Sequence, residues 1–217
     1  MNRTDRLTRL RDLLSSPDVQ TRLQAAMAAG TRPAVDQVEV LVARCAVEPD
    51  FFVRDTLTWA LTRHEQPLIM ELLLDELASP VPQARSQALH TLSKFGDARA
   101  WPAITADLLR DPDDEVARAA WRTAAGLVPD DSRAELAEEL ASQFNRGGRD
   151  VQLSLSRAMA VLGEAALPVV QRAQTAKDPG VSAHAVATER LMQDPEEGFD
   201  AAIAEAERVV ALRGAPG

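Results

Sequence analysis

The sequence predicts an all-α chain, built as a stack of six two-helix repeats and closed by a C-terminal helix. Three observations carry that expectation. Turn-forming residues recur at a nearly constant spacing: Pro17, Pro49, Pro80, Pro112, Gly147 and Pro179 stand 32, 31, 32, 35 and 32 residues apart. Apolar residues between the turns follow the i, i+3, i+4, i+7 spacing of one helix face. Aromatics make up only 4% of the 217 residues, with no tyrosine, while alanine, leucine, arginine and glutamate dominate, which is helix vocabulary. A fixed period near 32 residues marks a repeat array, in which each unit buries its apolar face only against its neighbours.

Each repeat reads as a first helix, a turn and a second helix. The first helices carry the stripes Leu10, Leu13 and Leu14, then Val38, Leu41, Val42 and Cys45. Leu73, Leu74 and Leu77 follow, then Ile104, Leu108 and Leu109. The second helices contain TRLQAAMAA, VRDTLTWAL, ARSQALHTL, VARAAWRTA, VQLSLSRAM and VSAHAVATE. Their fifth residues, Ala25, Leu57, Ala88, Ala120, Leu155 and Ala185, are small or apolar and suit close helix approach. The acidic runs Asp111 to Glu115 and Asp194 to Glu197 precede helices, where carboxylates cap free N–H groups. They lack the ligand spacing of a calcium loop. The array is expected over residues 1–195. Glu196 to Leu212, with Phe199, Ile203, Val209 and Val210 at near-helical spacing, is expected to form a C-terminal cap, and Arg213 to Gly217 a disordered tail.

The third repeat, ARSQALHTLSKFGDARAWPAI, resembles the short HEAT-type repeat of phycobilisome lyases. Arg85, Ala88, Leu92, Gly96, Asp97, Ala100 and Pro102 match that pattern, and Arg22 and Arg54 match its arginine in earlier repeats. Ala117, Gln152 and Ser182 replace the arginine later, so the signature fades toward the C-terminus. The resemblance implies a right-handed α-solenoid of about six HEAT-like repeats, with the second helices lining a concave surface. It carries no specific function, because such repeats serve scaffolds, adaptors and a few enzymes.

Composition and motifs narrow the function classes. A net charge of −9 disfavours nucleic acid or an anionic membrane as the main partner. One cysteine forms no internal disulfide, and no run has the roughly 18 apolar residues of a membrane span. The charged start MNRTDRLTRLRDLL has no apolar signal core, so a cytoplasmic location is expected. Cys45 lies on an apolar stripe and reads as a small buried hydrophobe. His64, His90 and His184 fall in different repeats, too far apart to share a metal. The lone His64-Glu65 pair provides too few ligands for the di-iron site of the HEAT-like deoxyhypusine hydroxylases. No enzyme activity, cofactor or metal is expected.

One column stands out when the second helices are aligned. Its seventh position reads Met27, Trp59, His90, Arg122, Arg157 and Ala187. One turn to either side lie Asp55, Ser86, Arg118, Arg63 and Lys94. With the flanking positions committed to core, the column should face outward. The expected binding stripe is therefore Asp55, Trp59, Arg63, His90, Lys94, Arg118, Arg122 and Arg157. A large side chain there also serves to cover core, with arginine stems lying on neighbouring turns. An aromatic anchor beside cations suits an acidic protein or peptide. The expected function is a non-catalytic, regulatory scaffold or adaptor. The alternative resembles the HEAT-like alkylpurine DNA glycosylases, with Trp59 stacking on a nucleotide and Arg118, Arg122 and Arg157 holding phosphates. Asp55 is then the one carboxylate near the tryptophan.

Overall fold

A computed structural model describes residues 3–194 and 199–213. Among the described residues the only regular secondary structure is helix, without strands. Six helix pairs follow one another. They are α1 (Arg3–Leu14) and α2 (Val19–Thr31); α3 (Val38–Cys45) and α4 (Phe51–Thr62); α5 (Gln66–Glu76) and α6 (Pro82–Phe95). The second half holds α7 (Ala106–Leu109) and α8 (Asp114–Leu127); α9 (Arg133–Ala141) and α10 (Arg149–Leu162); α11 (Leu167–Ala173) and α12 (Pro179–Gln193). The last helix is α13 (Phe199–Arg213). The chain divides into two compact units, Met1–Ala103 and Ile104–Gly217.

Within each unit like packs on like. In the first, α2 packs on α4 and α4 on α6, while α1 contacts α3 and α3 contacts α5. In the second, α8 packs on α10 and α10 on α12, with α7, α9 and α11 behind them. The fifth-position residues sit at these contacts, all between 0% and 5% exposed.

The turns are built from the recurring Pro-Asp pairs. Asp18, Asp50, Asp113 and Asp178 are the N-caps of α2, α4, α8 and α12. Each accepts a hydrogen bond from the backbone N–H three residues on, at 2.8–3.2 Å. That partners a donor the helix leaves free. The α6 start instead uses Pro82 in its first turn, where a missing N–H costs little.

The arginine column serves these same turns. Arg22 donates to the Ser16 and Pro17 carbonyls, Arg54 to those of Glu48 and Pro49, and Arg85 to that of Ser79. Each clamps carbonyls of the turn that follows its own first helix. Where Ala117 replaces the arginine, Arg146 from the following repeat reaches back to the equivalent Asp111 carbonyl. It also bonds Asp114 at 2.9 Å and lies over the Trp121 ring. Gln152 makes the corresponding bond to the Gly147 carbonyl.

Two expectations change. The fourth first helix is shorter than its stripe implies: a 3-10 stretch, Ala98–Ala103, interrupted by Pro102, leaves only the one-turn α7. Buried Trp121 compensates, donating its indole N–H to the Leu109 carbonyl at the end of α7, at 2.7 Å. At the C-terminus, Arg213 ends α13 rather than lying in a tail. Residues 195–198, with Glu196 and Glu197, and residues 214–217 lie outside the described residues.

Candidate partner-binding face

The seventh-position column faces outward over most of its length. Met27 is 51% exposed and Trp59 41%, Arg122 and Arg157 are exposed, and His90 is half-buried. The exception is Ala187, fully buried. Helix α13 lies across it, packing Phe199, Ala202, Ile203 and Ala206 onto Ala183, Ala187 and Leu191. Arg149 pairs with Glu207 at 2.8 Å and ties α13 to α10.

In the first unit, α4 carries Asp55 and Trp59 one turn apart, with Arg63 at its C-cap, and α6 carries His90 and Lys94. Asp55, Arg63 and Lys94 are exposed, and among the described residues neither cation is paired. Trp59 is held in place by Gly30 of α2. A Cβ built on Gly30 would come within 2.4 Å of the Trp59 ring and 2.8 Å of the Ala60 Cα. Glycine therefore lets α2 and α4 approach and gives the indole a floor. Gly30→Ala should force the helices apart, costing about 1–3 kcal/mol in urea denaturation. Trp59 emission should shift to the red as the ring lifts into water.

In the second unit the cations are differently committed. Arg118 donates to Ser154 Oγ at 2.9 Å and pairs with Glu115 at 2.8 Å, bracing α8 against α10. Arg122, crowded by its surroundings and by the Arg118 charge, is held below its ordinary pKa. Arg157 stands exposed on α10.

The other reactive residue types are built into the interior. Cys45 is buried, and desolvation pushes its thiol up to about 12. A thiol reagent should therefore leave the native protein unlabelled at neutral pH and modify Cys45 only after denaturant is added. Labelling at the rate of a free thiol would show that the α3 stripe opens. His64 Nδ1 donates to the Ala60 carbonyl at 2.8 Å, closing the end of α4. His184, 1% exposed, accepts from the Asn145 N–H at Nδ1 and so carries its proton on Nε2, which faces the Gln152 carbonyl and Ser156 Oγ. Phe144 and Phe199 pack edge-on against the ring. No three His, Cys, Asp or Glu residues converge in a metal-holding group among the described residues.

Sequence reasoning missed a buried ionic cluster. Glu48, with 0% of its side chain exposed, accepts five hydrogen bonds: two each from Arg22 and Arg44, and one from the Asp50 N–H. Burial works to raise its carboxyl, but the bonds from Arg22, Asp50 and Arg44 together pull it below the ordinary carboxylate range. The one sequence signal was a glutamate at a turn position where Ser16, Ser79, Asp111 and Asp178 stand in other repeats, and it does not name the partners.

No helix among the described residues is long and apolar enough to cross a membrane. No protein-family model matches the chain, and no curated protein matches it in sequence.

Proposed function

We propose that the protein is a non-catalytic interaction module: a right-handed α-solenoid of six HEAT-like repeats whose second-helix face holds a protein or peptide partner. The succession of six helix pairs and the arginine clamps on their turns support the repeat reading. The observation that carries the function is Trp59. It is a tryptophan in mid-helix, 41% exposed and seated on a glycine, with the unpaired cations Arg63 and Lys94 on the same and the neighbouring helix. A rigid aromatic beside free cations is the composition of an interface anchor. Those cations favour a partner with an acidic patch. Arg118, bonded to Ser154 and Glu115, is poorly disposed to hold a phosphate, which weighs toward a protein partner over duplex DNA.

The experiment is affinity purification with chemical crosslinking from the native host, run in parallel on the wild type and Trp59→Ala. The wild type should retain a stoichiometric protein partner that Trp59→Ala loses. Identical recovery by both proteins would refute this use of the face. A shift of duplex DNA at low salt by the wild type alone would favour the nucleic-acid reading instead.

A further inference from the structure

We propose that the edge formed by the starts of α2, α4 and α6 is a second docking surface, which takes a protein segment carrying apolar residues flanked by lysine or arginine. Phe51 is 65% exposed and Phe52 70%; Val47 in the turn before α4, Val81 at the α6 N-cap and Val19 at the α2 start are 61%, 42% and 36% exposed. The two rings stack edge to face with centroids 5.6 Å apart. They are two of only five phenylalanines in the chain. Exposed apolar side chains gathered at neighbouring helix starts on a small protein suit an interaction site.

The three helix starts form one surface. Arg22 in the first turn of α2 bonds Glu48 in the turn before α4, and Gln83 in the first turn of α6 donates to the Cys45 and Glu48 carbonyls of that same turn at 2.9 and 2.8 Å. The repeat does not require phenylalanine here. At the corresponding helix starts the fourth and fifth repeats carry Asp114-Glu115 and Arg149-Asp150. The pair lies at the turn end of α4, with Asp55 one turn along the helix between it and Trp59.

Charge identifies the occupant. The arginines of this edge are turned inward, with Arg22, Arg54 and Arg85 on turn carbonyls and Arg44 on Glu48. The other charged groups at these helix starts are carboxylates, with Asp18 and Asp50 each keeping one oxygen on a helix N–H. Asp18 and Asp55 are exposed, and half-buried Asp50 directly precedes Phe51. An apolar centre with an anionic rim selects a segment with a cationic rim. Its apolar side chains would cover Phe51 and Phe52 while its lysines or arginines meet the aspartates and stack on the ring faces.

Two synthetic amphipathic peptides with the same leucine face, one bearing lysines and one glutamates, test this by amide chemical-shift mapping and titration. The lysine peptide should bind about tenfold or more tightly than the glutamate peptide, shifting Val47, Phe51, Phe52 and Val81. Phe51→Gln with Phe52→Gln keeps the net charge, should keep the melting temperature because both rings are exposed, and should weaken lysine-peptide binding about tenfold or more. Val47→Gln serves if the double variant fails to fold. The proposal is overturned by equal or tighter binding of the glutamate peptide, by binding that survives the substitutions, or by shifts confined to other surfaces. It is also overturned if the wild type sediments as a dimer that the double variant abolishes, or if neutral phosphatidylcholine vesicles bind through the same residues.

Discussion

Glu48→Ala should destabilise the first unit by about 3–5 kcal/mol, the usual consequence of removing one partner from a buried ion pair. The cost arises because Arg22, 5% exposed, would keep its charge with only the Ser16 and Pro17 carbonyls as acceptors. Arg44, nearer the surface, can swing into water. The cluster also couples repeats, since Arg22 belongs to α2 and Glu48 to the turn before α4. Its loss should therefore loosen α2 from α4 and expose the α3 stripe. Glu48→Gln keeps the shape but not the charge, and should recover only part of the loss. Urea denaturation followed by helical ellipticity measures both. A cost below about 1 kcal/mol, as for an exposed pair, would show that solvent reaches Arg22. The Glu48 carboxyl sits below its ordinary value, so its contribution is present above the unfolded-state pKa near 4.5 and is lost as pH falls through the folded value.

Acid should weaken the second unit earlier, through His184. Burial, with a smaller contribution from the Arg149 charge, lowers this imidazole from 6.5 to about 4, against the opposing pull of the Gln152 carbonyl. An unfolded chain therefore takes up the proton first as pH falls. The stability associated with neutral His184 is full above pH 6.5, declines between 6.5 and 4, and is then lost. The shift corresponds to about 3 kcal/mol across that window. Protonation would put a hydrogen on Nδ1, where the ring now accepts from the Asn145 N–H, and set two donors against each other. The Ser156 hydroxyl, 2.7 Å from Thr188 Oγ1, links α10 to α12 beside the ring and would lose its setting as well. Hydrogen exchange of α10 and α12 amides from pH 7 to pH 4 should report the loss. His184→Gln should start from lower stability but show no slope in that range. A slope of the same size in His184→Gln would assign it to other groups.

The helix pairs were legible because period, stripe and cap are local signals. A proline near residue 49, an aspartate beside it and an alanine or leucine seven places into the next helix each act within a few residues. The outward column was legible for the same reason: helix geometry turns Met27, Trp59, Arg122 and Arg157 away from the buried fifth position. Ala187 defeats the rule because α13, a non-local element, lies over it. The Glu48 cluster was illegible for a related reason. Its partners lie 26 residues upstream and four residues upstream, and only packing of α2 against the next turn brings Arg22 to the carboxylate. Arg118 was expected as a free cation because Ser154, 36 residues away on α10, offers no sequence signal as an acceptor. Phe51 and Phe52 fell at positions that the helix pattern treats as solvated, and the pattern says nothing of apolar residues left there.

Whether Trp59 anchors a partner or covers the core is decided by comparing two truncations on α4. Trp59→Ala and Leu57→Ala are compared in the same samples for melting temperature and for retention of the crosslinked partner. Leu57 is 0% exposed on the same helix, so truncating it should cost about 2–5 kcal/mol and affect binding only through folding. Trp59→Ala should lose less stability than Leu57→Ala and yet weaken partner binding by about 2 kcal/mol or more. If Trp59→Ala melts as low as Leu57→Ala, or keeps its partner at wild-type strength, the tryptophan is a lid on Gly30 and the face has no aromatic anchor.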